Sequence, residues 1–345
     1  MKRTDKLRKL LKDNEGVILT GYPNIFYYSG FTSEDAVVFI TKNRQILVTD
    51  SRYTVQARQQ AKDFEIRDVT EGIDKIAEML EVEVLGFEEG TVTVKELARY
   101  QKFGKKLVPM QDNISGLRRI KDDFEIEKIK NAEELADAAY SYVIEHIRAG
   151  MTELEVALML EFYMRKNGAS GTSFDTIVAS GLRSSMPHAA ASDKVIGIGD
   201  FVTMDFGCRL DGYCSDMTRT VVIGKCTARQ REVYEVVFSA QKAAIGAIEA
   251  GKRCADIDKV ARDIITEAGF GRNFGHSLGH SVGIEIHERP VFAPRSEEII
   301  EKGNVITVEP GIYIEGWGGV RIEDVVAVGE NVHNLTKSCK ELTII

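Results

Sequence analysis

Short apolar runs separated by turn residues dominate the first 120 positions. Gly16–Thr20, Asp35–Thr41 and Arg44–Asp50 read as β-strands, the last two joined across Lys42 and Asn43. Residues 51–62 read as a helix. Strands from Phe64, Glu83 and Lys106 then alternate with helices over Ile73–Leu80 and Val94–Phe103, and the pattern ends near Pro109. A mixed α/β domain over residues 1–120 is expected, with the boundary between Ser115 and Asp122.

From Asp122 the period changes. Apolar positions recur at three and four residues as far as Gly150, which predicts a helix of about seven turns. Thr152 and Glu155 form a capping box for a second helix that stops at Gly168, and Thr227 with Gln230 forms another further on. The segments RAGMTELEVALMLEFYMRKNG and EAGKRCADIDKVARDIITEAG echo one another. Each sets Ala-Gly before a helix and a second Gly 18 residues later, at Gly150 with Gly168 and Gly251 with Gly269. Each follows a helix and precedes β-rich sequence. Residues 121–345 are therefore expected to be two similar halves, each a helix pair plus a sheet, with a site at their junction.

Composition narrows the function. The 345 residues carry 53 acidic against 45 basic side chains, a net charge of −8, which gives no electrostatic footprint for nucleic acid. The charged N-terminal stretch lacks the apolar core of a signal peptide, and no uncharged run is long enough to span a membrane. A cytoplasmic protein without a membrane partner is expected. The five cysteines include no C-x-x-C pair and read as reduced thiols.

Acidic residues interrupt the most apolar strands. Asp205 and Asp216 lie on opposed arms around a hairpin signal at Asp211-Gly212, and Glu309 and Glu323 repeat the arrangement around Gly316, Gly318 and Gly319. A lone carboxylate in a core costs several kcal/mol unless it is paired or bound to a metal. Between the hairpins lies FGHSLGHSVGIEIHE, whose glycines argue against a helix, so its H-x-x-x-H spacing is not the helical zinc-protease motif. In an extended segment His276 and His280 share a side, while His287 needs a bend or bulge to join them. Four carboxylates with one imidazole suit a pair of divalent ions such as Mn, Co or Zn, an arrangement that reads as hydrolytic.

The motifs TMDFG, YCSDMTRT, GHSVGIEIHE, VEPGIYI and VRIED together resemble, in order and spacing, the pita-bread metallopeptidases, the family of prolidase, aminopeptidase P, methionine aminopeptidase and creatinase. LTGYPNIFYYSGF and DSRYTVQA are similar to the N-terminal domain of its Xaa-Pro branch. The resemblance implies a pita-bread catalytic domain (α+β) behind a smaller creatinase/prolidase-type α/β domain. It further implies that Asp205, Asp216, His280, Glu309 and Glu323 bind two metal ions, with Asp216 and Glu323 bridging. His188 and His287 would hold substrate and stabilise the oxyanion, and Glu309 would shuttle a proton. His276 and Arg321 would support the ligands, Arg321 by orienting acidic groups.

The expected activity is hydrolysis of the bond preceding proline by a metal-bridging hydroxide, on Xaa-Pro dipeptides or on longer peptides with proline second. A dipeptidase must bind the substrate's free carboxylate, for which Arg289 and Arg295 are candidates. The resemblance also implies a homodimer. The alternatives are a non-catalytic partner-binding member of the fold, which would tend to lose ligands, and a creatinase-like, metal-free amidinohydrolase. Retention of all five ligand positions argues against both.

Overall fold

The computed structural model describes residues 2–345. The chain divides into two compact units, one ending at Arg118 and the other beginning at Arg119. In the first, strands β1 (Glu15–Leu19), β2 (Ala36–Thr41), β3 (Gln45–Thr49), β4 (Glu65–Asp68), β5 (Val84–Phe87) and β6 (Lys106–Pro109) form one mixed sheet in the order β4-β3-β2-β1-β5-β6. The β2/β3 hairpin turns at Lys42 and Asn43, as the sequence predicts. Helices α1 (Arg3–Leu10), α2 (Tyr22–Ser29), α3 (Thr54–Gln60), α4 (Ile73–Glu78), α5 (Val94–Tyr100) and α6 (Gln111–Ser115) connect and flank the strands. Alternation of polar and apolar positions does not reveal α2, because five of its eight residues are buried.

The second unit opens with α7 (Asp123–His146), capped by Asp122 and Glu125, and α8 (Glu153–Lys166), held by the expected Thr152–Glu155 box. Strands β7 (Gly171–Thr172), β8 (Ile177–Ser180), β9 (Phe201–Phe206), β10 (Cys208–Leu210), β11 (Tyr213–Cys214) and β12 (Met217–Val222) follow. Next come α9 (Ala228–Ala247), capped through Thr227 and Gln230, and α10 (Cys254–Glu267). The chain closes with β13 (Gly279–Ser281), β14 (Glu288–Phe292), β15 (Val305–Val308), β16 (Gly311–Ile314), β17 (Gly318–Arg321), β18 (Asp324–Val328), β19 (Val332–Asn334) and β20 (Thr343–Ile344).

These elements form two matching halves. Gly150, Gly168, Gly251 and Gly269 all take positive φ at the corresponding helix junctions, which is why glycine recurs there. In each half a long antiparallel pair, β9/β12 or β15/β18, is interrupted at its far end by a short hairpin, β10/β11 or β16/β17. The first hairpin turns through Asp211 (φ 50°) and Gly212 (φ 85°), both left-handed as a two-residue turn requires. One apolar core joins α7 and α8 to β8, β9 and β12, and another joins α9 and α10 to β15, β17 and β18.

The interruptions place the acidic residues. Asp216 and Glu323 each stand immediately before the returning strand, β12 and β18, and Glu309 stands just after β15. Glu323 N donates to Thr218 O (3.1 Å) and Thr220 Oγ1 donates to Arg321 O (2.9 Å), so β12 lies along the β17–β18 junction and the halves meet at the carboxylates.

Close backbone approach also fixes β13, the strand that carries His280, against β15. A Cβ on Gly279 would lie 1.9 Å from the Thr307 carbonyl oxygen. Gly279→Ala is expected to force β13 from β15 and to destabilise the protein by more than about 2 kcal/mol. Urea denaturation with an unchanged midpoint would contradict that close contact.

Candidate metal centre

A cavity of about 520 Å³ lies in the second unit. Asp205, Asp216, His276, His280, His287, Glu309, Arg321, Glu323 and His188 all line it. His280 is carried by β13, whose pairing with β14 shifts register between His280 and Ser281. The bend over residues 282–287 then returns His287 to within 4.4 Å of the His280 ring, centroid to centroid.

Ligand atoms of Asp216, His280 and Glu323 lie within 4.8 Å of one another. His280 Nε2 is 3.5 Å from Asp216 Oδ2 and 3.4 Å from Glu309 Oε1. Its Nδ1 is 3.2 Å from the Ser281 carbonyl, which can only accept, so Nδ1 carries the proton of the neutral ring. Burial lowers the His280 pKa to about 4, with His287 adding to the effect, so that neutral ring is the form at neutral pH. Its Nε2 lone pair therefore faces carboxylate lone pairs. Such an arrangement is relieved by a proton on one of the carboxyls or by a cation lying between them.

The carboxylates themselves are buried and crowded. Burial, then Glu323, Asp205, Glu309 and Glu133, push the Asp216 pKa well above the usual range. Burial, then Glu309 and Asp205, do the same to Glu323. Glu309 is raised to about 8, mainly by burial, against the opposing pull of Arg321. Asp205 Oδ1 and Glu323 Oε1 are buried without any hydrogen-bond donor. The residues present thus fit divalent cations, since hard oxygen donors with one imidazole leave open lone pairs turned into a polar cavity.

A polar scaffold holds these groups. Thr218 Oγ1 donates to Glu323 Oε2 (2.7 Å), while Thr307 Oγ1 donates to Glu309 Oε1 (3.2 Å) and accepts from His280 N (3.0 Å). Arg321 pairs with Asp205 and donates to Tyr313 Oη (2.8 Å). His276 Nδ1 lies 2.8 Å from Ser277 O, which leaves Nε2 to accept from Tyr313 Oη at 3.0 Å. His276, Tyr313, Arg321 and Asp205 thus form one chain of hydrogen bonds.

Comparison with known proteins matches this architecture. The model of metallopeptidase family M24 matches residues 127–330, and that of the creatinase/prolidase N-terminal domain matches residues 3–120. The chain belongs to metallopeptidase family M24. An Xaa-Pro dipeptidase of Pyrococcus furiosus is 41% identical over 348 residues, covering 99% of each chain. A solved Xaa-Pro dipeptidase from Bacillus anthracis aligns with TM-score 0.96 and 43% identity over 99% of both chains. An X-Pro aminopeptidase from Thermotoga maritima aligns with TM-score 0.94 and 39% identity over the whole of both. The chain is accordingly a metallopeptidase with a pita-bread catalytic domain, and the family implies divalent metal.

Two residues singled out in the sequence are not brought to the M24 cavity. Arg289 alternates outward from buried Glu288 on β14, is 70% exposed and pairs with Glu298 at 3.3 Å, and Arg295 is exposed beyond the strand's end. Sequence reasoning in turn missed Glu133. This wholly buried carboxylate on α7 accepts from Asp216 N (2.8 Å) and Thr336 Oγ1 (3.1 Å), and burial raises its pKa to about 8. Its only signal was an acidic residue on the apolar face of a long amphipathic helix. Tyr313 was likewise unmarked.

The raised pKa values fix the sign of a pH effect in metal-free enzyme. A carboxyl whose folded pKa exceeds its unfolded one near 4 destabilises the fold as pH rises through that window. Glu323→Gln should therefore be more stable than wild type at pH 8 in metal-free protein. The difference should vanish below about pH 4, where the carboxyl is protonated in the unfolded chain as well as in the native one. Parallel stability profiles for the two proteins in chelator would contradict the assignment of repulsion to this cluster.

Proposed function

We propose that this chain hydrolyses the peptide bond preceding proline, with two divalent ions held by Asp205, Asp216, His280, Glu309 and Glu323. The observation that carries the reading is the convergence of four carboxylates and a neutral imidazole on one buried cavity wall, with oxygens of Asp205 and Glu323 lacking donors. Bound there, the ions supply hydroxide near neutral pH and polarise the scissile carbonyl.

The protein's own groups do the rest. Asp216 and Glu323 would be the ligands shared between the ions, and Arg321 pairs with Asp205, whose Oδ1 is left without a donor. Glu309, braced by Thr307 Oγ1 and 3.4 Å from His280 Nε2, is placed to take a proton from the attacking water and deliver it to the leaving prolyl nitrogen. His188 and His287 offer ring N–H groups to the developing oxyanion and orient the substrate. Phe174, Ile177, Pro187, Ala190 and Ile286 supply an apolar wall suited to a pyrrolidine ring. The enzyme is read as a homodimer, and the native metal as Mn, Co or Zn.

One observation favours longer substrates over dipeptides. Arg321 is the cation on the cavity wall and is committed to Asp205 and Tyr313, while Arg289 is held by Glu298. A free prolyl carboxylate therefore gains no evident partner from these arginines. This favours peptides whose chain continues past proline as a neutral amide, as for an X-Pro aminopeptidase, whereas the names of the Pyrococcus furiosus and Bacillus anthracis relatives favour Xaa-Pro dipeptides.

The test is an assay of metal-stripped enzyme restored with Mn, Co or Zn against Xaa-Pro, Xaa-Pro-Yaa and Xaa-Ala-Yaa peptides. Turnover should require metal and proline, with tripeptides preferred. Asp216→Ala should lower turnover by at least about 100-fold. Metal-independent cleavage, or equal cleavage of the alanine peptide, would contradict the proposal.

A further inference from the structure

Lys121 and Glu288 form an ion pair outside the carboxylate cluster. Nζ and Oε2 are 2.9 Å apart, and the side chains are only 1% and 3% exposed. Burying two opposite charges is offset only by good geometry and further hydrogen bonds, so the pair invites a reason for its retention. Lys121 stands just ahead of the α7 cap and is anchored by its own N–H to Gly303 O (2.8 Å). Glu288 is the first residue of β14 and directly follows His287.

The loop between β13 and β14 is fastened from several sides. Val282 N donates to Val305 O (3.1 Å), and Gly283 O accepts from Cys214 N (2.8 Å). Ile284 O accepts from Arg209 Nη1 (2.7 Å), and Glu285 N donates to Glu288 Oε1 (3.2 Å). Gly283 rests so closely on the Glu288 carboxylate that a Cβ there would lie 2.6 Å from Oε2. The Glu288 carboxylate is therefore the floor of the loop, and Lys121 fixes that floor to the start of α7.

We propose that Lys121 and Glu288 are positioning residues that lock the 282–287 loop so that His287 faces the cavity beside His280. The inference rests on the reading of His287 as a group that touches substrate. It assigns the pair to the orientation of one imidazole rather than to metal retention.

Lys121→Met alone would strand a buried carboxylate, so the test combines Lys121→Met with Glu288→Gln, a neutral replacement of similar volume. Metal content should match wild type, while kcat on an Xaa-Pro-Yaa peptide falls about tenfold or more, because small displacements of a reacting group are costly. In a His287→Ala background the same pair of changes should lower kcat by less than about twofold, since groups acting through one residue are not additive. Glu288→Asp keeps both charges but withdraws the carboxylate from Glu285 N, and should give the same pattern should the neutral pair not fold. In metal-free protein, the His287 ring resonance, identified by its loss in His287→Ala, should shift or broaden in either variant. Equal losses of kcat in both backgrounds, or none in wild type, would overturn the proposal. If His287→Ala itself leaves turnover unchanged, the role given to His287 under the proposed function fails, and the positioning role fails with it.

Discussion

Repulsion among buried carboxylates is the constraint around which the second unit is organised. Asp205, Asp216, Glu309 and Glu323 line one cavity, and burial together with their mutual repulsion pushes three of them toward protonation. No apolar packing relieves such a cluster. Protonation or neighbouring positive charge does, and Arg321 supplies part of that charge on the Asp205 side. Divalent cations would supply the remainder, which gives the net charge of −8 a local meaning, because four of the acidic residues belong to one site.

The duplicated architecture explains how four carboxylates reach one place without breaking their strands' hydrogen-bond ladders. Each half interrupts a long antiparallel pair with a short hairpin, and the acidic residues sit beside or within those interruptions. There a side chain can leave the alternation of the sheet and turn into the junction between halves. Buried hydroxyls of Thr218 and Thr220 then knit the halves together by donating to Glu323 and to the Arg321 carbonyl, while Thr307 braces Glu309 within the second half. Catalytic geometry and fold stability are therefore opposed at this junction. The backbone contacts favour closure and the charges resist it.

Much of this was legible in the sequence for physical reasons. Capping boxes at Thr152 and Thr227 and glycines at Gly150, Gly168, Gly251 and Gly269 are local signals, and they marked the helix pairs. Asp205, Asp216, Glu309 and Glu323 stood out because charge in an apolar strand is costly, and the bend that returns His287 was required by the two-residue period. Glu133, Lys121 and Glu288 were silent, because their roles depend on partners 83 and 167 residues away. Arg289 and Arg295 were suggested by proximity to His287 along the chain, but strand alternation and a solvent-exposed turn carry them out of the cavity.

The central claim is that two cations satisfy this cluster, bridged by Asp216 and Glu323. Anomalous diffraction from crystals of the manganese-loaded protein tests it most directly. Two peaks about 3.5–4 Å apart are predicted, one against His280 and Glu309 and the other against Asp205. A single peak confined to Asp216, His280 and Glu323, or an ion bound away from the cavity, would contradict it.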